Sequence, residues 1–193
     1  MKKAIIILHE IYGINEFIKD QCQYYENSGF DVFCPNVTGR VEPYSYEDEG
    51  LAYENFMAQH GLDRYMEIEA MIDQLKVEYR LVFLLGFSVG GTIAWRCCEN
   101  QNCDGIVAIY GSRIRDYTDL NPVCPVNLLF ATQDSFPVSK VVETLQSKAN
   151  VSCHTYDATH GFMDPYCRKF NKSEQEIASQ VINNFLKVVI DNR

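Results

Sequence analysis

Short apolar runs alternate along the chain with longer stretches whose apolar positions recur every three or four residues. The runs are Ala4–Leu8, Phe30–Cys34, Leu81–Leu85, Gly105–Tyr110, Val126–Ala131 and Val151–Tyr156. Their length suits strands, and strands that are apolar almost throughout are buried on both faces. Between them, helices are predicted over Asn15–Ser28 (ended by Gly29), Leu62–Glu78, Val89–Glu99, Val138–Ser147 and Ser173–Asp191. In Leu62–Glu78 the spacing puts Tyr65, Ile68, Met71, Ile72 and Leu75 on one face. Strands that alternate with helices in this way predict a mostly parallel, doubly wound sheet with helices on both faces, a three-layer α/β/α sandwich. Residues 1–193 read as a single domain of this kind. In such sheets ligands bind beyond the carboxyl ends of the strands, so the loops leaving each strand are where function is sought. The longest, Asn36–Gly61, carries Tyr44, Tyr46, Asp48, Glu49, Tyr53 and Phe56 and reads as a partly helical functional cover or mobile segment.

Composition narrows the function classes. Hydrophobic residues make up 47% of the chain, enough for a substantial core, and the net charge of −9 disfavours nucleic acid and anionic membranes as partners. The amino-terminal apolar run ends at His9-Glu10, too soon for a signal peptide, and no run approaches the ~18 residues of a membrane span. The 8 cysteines include no C-x-x-C pair and the histidines show no ligand spacing, so free thiols, a cytoplasmic location, no metal and no cofactor are expected.

Gly86-Phe87-Ser88-Val89-Gly90 fits the G-x-S-x-G nucleophile elbow, with an apolar strand before it and a helix after it. A nucleophile there must sit on a sharp turn that lifts its hydroxyl above the sheet, and side chains two residues away on either side would clash. The helix N-terminus then points at Ser88, where its free N–H groups stabilise developing negative charge. The competing reading, a phosphate cradle, lacks both the G-K-[ST] ending and G-x-G-x-x-G.

An activated serine needs a base, and the base an orienting carboxylate. Only His154 and His160 follow Ser88 in the chain. His154 falls inside a predicted strand, whereas His160 falls just beyond it, where a base belongs. Asp134 lies just past Val126–Ala131 and completes the order Ser, Asp, His of α/β-hydrolases. Asp116 and Asp119 leave the preceding strand and Asp157 is close to His160 along the chain, which ranks them below Asp134.

With His9-Glu10-Ile11-Tyr12-Gly13 after the first strand, Gly86–Gly91 around the serine, Asp134 before Pro137, and Ala158-Thr159-His160-Gly161-Phe162, the chain resembles the dienelactone hydrolase family. The resemblance spans nearly its whole length and implies an α/β-hydrolase fold. It also implies an oxyanion hole from the backbone N–H groups of Ile11 and Val89, and a nucleophile contact from Glu10. The family's namesake enzymes use cysteine where this chain has Ser88, and its leading strands are expected to be missing here.

The reaction expected is hydrolysis of a small carboxylic ester, lactone or thioester. A non-catalytic hydrolase-fold binding protein and an acyltransferase are the alternatives, and a homodimer is compatible with the sequence. Arg40 and Arg113, each just beyond a strand end, are candidates for binding a substrate carboxylate. Tyr12, Phe87, Tyr110 and Phe162 are candidates for the pocket wall or for the core.

Overall fold

The computed structural model describes residues 2–193. Six strands, β1 (Lys3–Leu8), β2 (Asp31–Phe33), β3 (Leu81–Phe87), β4 (Gly105–Ile109), β5 (Val126–Gln133) and β6 (Val151–Thr159), form one sheet. Their order is β2-β1-β3-β4-β5-β6 and every pairing is parallel. The helices are α1 (Glu16–Asn27), α2 (Glu49–Ala58), α3 (Tyr65–Lys76), α4 (Val89–Arg96), α5 (Val138–Leu145) and α6 (Lys172–Asp191).

Because successive side chains of a strand point to opposite faces, each apolar run supplies two cores. Ile5 and Ile7 of β1, with Leu81, Phe83 and Leu85 of β3, meet Phe17 and Ile18 of α1 and Ile182 and Leu186 of α6. Ala4, Ile6 and Leu8, with Val82 and Leu84, meet Ile68 and Ile72 of α3, Ile93 and Trp95 of α4, and Val141 and Leu145 of α5. Two cores on one sheet are the three-layer sandwich of the α/β-hydrolase fold.

Several bounds shift from those expected. The predicted helix over 62–78 opens as a 3₁₀ turn, Gly61–Arg64, because His60 sits in the left-handed region at φ +52° and the chain re-enters the helix only at Tyr65. The long segment after β2 folds into a 3₁₀ turn, Tyr46–Asp48, and α2. Asn15 and Asn171 cap α1 and α6, their side chains accepting from Ile18 N and Glu174 N. No helix among the described residues is long and apolar enough to cross a membrane.

Strand register brings the loops together. β1 runs beside β3 up to the pair Leu8–Gly86, so His9-Glu10-Ile11 and Phe87-Ser88 leave adjacent strands at the same level. β5 and β6 both outrun their expected ends and pair up to Gln133–Thr159, past an irregularity near Ala131. The next residues along the two strands are Asp134 and His160.

Candidate active site

Ser88 has φ +53° and ψ −116°, a conformation rarely adopted by residues other than glycine, and stands at the junction of β3 and α4. A methyl group on Gly86 would lie 2.1 Å from Gly90 O, and one on Gly90 would lie 2.3 Å from Leu8 O. The two glycines are thus required by close backbone contact, one inside the turn and one against the end of β1.

Three side chains from separate loops form a continuous line. Ser88 Oγ lies 2.9 Å from His160 Nε2, and His160 Nδ1 lies 2.8 Å from Asp134 Oδ2. An ionised carboxylate only accepts, so Nδ1 carries the proton and Nε2 is left free to accept from the serine hydroxyl. Burial works against charge on Asp134. Hydrogen bonds from His160 and from the Ser135 N–H and hydroxyl, with the attraction of the imidazole, outweigh it and hold the carboxyl below its ordinary range. The His160 ring rests on Tyr110, with centroids 4.9 Å apart.

The other side of the imidazole is different. Glu10 is 4% exposed and its Oε1 has no hydrogen-bond partner, and the Tyr110 hydroxyl is buried without one too. Burial raises the Glu10 carboxyl to about 7; His160 pulls it down, and repulsion from Asp164 pushes it up. Asp164 is itself wholly buried, accepting from the Tyr46 hydroxyl at 2.5 Å and from Tyr166 N at 2.8 Å. Glu10 shares a small cavity with Ser88 and His160. Its neighbour His9 donates from Nδ1 to Glu10 O and accepts the Val37 N–H on Nε2, tying the loop after β1 to the loop after β2. Burial lowers the pKa of His9, which keeps the ring neutral for this double role.

A cavity of about 420 Å³ opens over Ser88 and His160. Ile11 and Val89, the expected oxyanion pair, both line it, as do Glu49 and Tyr53 of the long segment. Arg113 is in the wall as expected, already paired at 2.9 Å with Asp116. Arg115, two residues beyond Arg113 in the same 3₁₀ turn, and Lys169, in the loop beyond His160, stand in the same wall, and no sequence motif marks either.

Arg40 is not part of this site. Its guanidinium lies 4.2 Å over the Tyr44 ring and its Nε donates to Glu42 O, because the loop after β2 folds back on itself. Phe87, Tyr110 and Phe162 are fully buried core residues, whereas Tyr12 lines two smaller cavities beside the one over Ser88. His154 lies on the sheet, 3.1 Å from Asn127 Oδ1. The Asp157 carboxylate accepts from Gln133 Nε2 at 3.4 Å and does not reach His160. Among the described residues no cluster of His, Cys, Asp or Glu could hold a metal ion.

Known proteins resemble the chain at three levels. Protein YczH of Bacillus subtilis is 37% identical over 175 residues, covering 89% of this chain and 86% of that protein. Carboxymethylenebutenolidase 1 of Cupriavidus pinatubonensis is 24% identical over 191 residues, covering 91% of this chain and 81% of that enzyme. The crystal structure of the dienelactone hydrolase-like promiscuous phosphotriesterase P91, from metagenomic libraries, shares the fold with a TM-score of 0.74 at 13% identity. It covers 97% of this chain and 87% of P91. The sequence profile of the dienelactone hydrolase family matches residues 1–190, and by that match the chain belongs to the dienelactone hydrolase family.

Proposed function

We propose that the chain is a serine hydrolase that cleaves a small carboxylic ester, lactone or thioester through an acyl-enzyme on Ser88. The observation that carries this reading is the unbroken line Ser88–His160–Asp134, with the imidazole tautomer set by the carboxylate. His160 Nε2 takes the proton from Ser88 Oγ as the oxygen attacks the carbonyl carbon. The tetrahedral oxyanion is held by the backbone N–H groups of Ile11 and Val89, the latter at the start of α4. His160 then gives its proton to the leaving oxygen or sulfur. Water, deprotonated by the same nitrogen, attacks the acyl-enzyme and releases the acid. Asp134 stabilises the imidazolium at each stage.

Glu10 adds a pH-dependent charge to this machinery. Below about pH 7 its carboxyl is neutral, and above it a carboxylate stands in the small cavity that it shares with Ser88 and His160.

Labelling with a fluorophosphonate, read by intact mass and peptide mapping, tests the proposal. A single adduct on Ser88 that is absent in Ser88→Ala is expected. A folded protein that takes up no probe would instead be a hydrolase-fold binding protein.

A further inference from the structure

Beside the catalytic cavity lies a second one, of about 280 Å³, lined by Tyr12, Tyr46, Tyr166 and Cys167 and rimmed by charged side chains. A third space, of about 30 Å³, shares Ser88 and His160 with the first cavity and Tyr12 and Cys167 with the second, the lining of a neck between them. Glu49 and Lys169 line all three spaces. Their side chains form an ion pair at 3.5 Å that borders all three.

The second cavity is smaller than the ~300–1,000 Å³ of sites that enclose a whole small molecule, which makes it the size of one arm of a substrate. Its walls are built for a ring. The Tyr46 hydroxyl is held between Asn15 and Asp164, and the Tyr166 hydroxyl donates to Asp20 Oδ2 at 2.7 Å. With those two polar ends already engaged, the Tyr46 and Tyr166 rings offer a ligand aromatic surface, which prefers another ring in offset or edge-to-face contact. The rim charges cancel: Glu49 pairs with Lys169, and Glu47 with Arg168 at 3.9 Å. That balance favours an uncharged group.

We propose that this tyrosine-walled cavity is a second arm of the substrate site, accepting an uncharged aryl group joined to the ester by a short methylene chain, with the Glu49–Lys169 pair as the gate on the neck. The inference rests on the ester-hydrolase reading above. A space of about 30 Å³ holds little more than one water, so a slender linker fits it and a ring passes only when the pair parts. The two side chains are 55% and 44% exposed, so the pair contributes little stability and opens at small cost.

The test compares kcat/KM for methyl hydrocinnamate and phenethyl acetate with that for methyl acetate. The two aryl esters place the ring on the acyl and the alcohol side respectively. At least one is expected to exceed methyl acetate by about tenfold, chiefly through KM. Tyr166→Ala, which removes a wall of the second cavity only, should cut that preference by about fivefold. Lys169→Met should increase it, since the gate no longer has to open. Equal preference in the wild type and both variants, with methyl acetate turned over, would overturn the inference and leave the hydrolase reading intact. Binding of benzylacetone, which cannot be hydrolysed, is followed in parallel by amide NMR. It should shift Tyr46, Tyr166 and Cys167, and shifts confined to the loops around Ser88 would sink the second arm even if no ester is cleaved.

Discussion

His160 stands between two carboxyl groups that burial treats in opposite ways. Asp134, with a side chain 3% exposed, has hydrogen bonds from an imidazole, a backbone N–H and a hydroxyl, and it keeps its charge. Glu10, equally hidden, has an oxygen with no partner and surrenders its charge near neutrality. Desolvation raises both carboxyls; at Asp134 the hydrogen-bond donors outweigh it, and at Glu10 they do not. The imidazole thereby has a fixed anion on one side and a titrating carboxyl on the other.

Removing the fixed anion gives the largest expected effect. Asp134→Asn preserves shape but no longer enforces the tautomer, and on the proposed mechanism kcat should fall by roughly 10³–10⁴-fold, the loss found in well-characterised serine triads. Steady-state kinetics alongside an unchanged thermal unfolding curve would check this; a loss under tenfold would mean that the base is oriented by something else.

Glu10→Gln removes the titrating group. A carboxyl raised in the folded state binds its proton more tightly there than in the unfolded chain. Stability is therefore lost as pH rises from about 4.5 through about 7, and the loss is complete above that. The glutamine variant escapes it and should be more stable than the parent by about 3 kcal/mol at pH 8, with the advantage fading by pH 5. Urea unfolding at the two pH values reads this directly. The same substitution should erase an ionisation near neutral pH from the kcat/KM profile.

The smallest effect sharpens the contrast. Asp164 repels the charge on Glu10 from the far side while accepting the Tyr46 hydroxyl. Asp164→Asn keeps the volume and removes that repulsion, so the Glu10 ionisation should move to lower pH by under about one unit. A pH–rate profile that does not move would mean that Glu10 is raised by burial alone.

How much of this was legible in the sequence depends on how local each cause is. The Ser88 turn, the alternating elements and the loop positions of Asp134 and His160 follow from spacing and strand ends, which the chain carries openly. Register does not: that Gln133 and Thr159 pair, and so launch Asp134 and His160 side by side, is settled by sheet packing. The Tyr46–Asp164 contact joins residues 118 positions apart and no local pattern announces it. Arg40 misled for a related reason, as its loop turns back onto Tyr44 instead of reaching over the sheet. Tyr110 and Phe162 read equally well as wall or core, and packing beneath His160 decided for the core.

The contact of Gly90 with the end of β1 has an evolutionary consequence. The serine turn and the loop that follows Leu8 touch backbone to backbone, so neither can accept an added atom without displacing the other. Variation there is penalised whatever the substrate. Diversification of what the enzyme accepts is left to the two segments that meet above the site, residues 36–61 and 161–171, which are joined largely by side-chain contacts and can be rewritten one residue at a time.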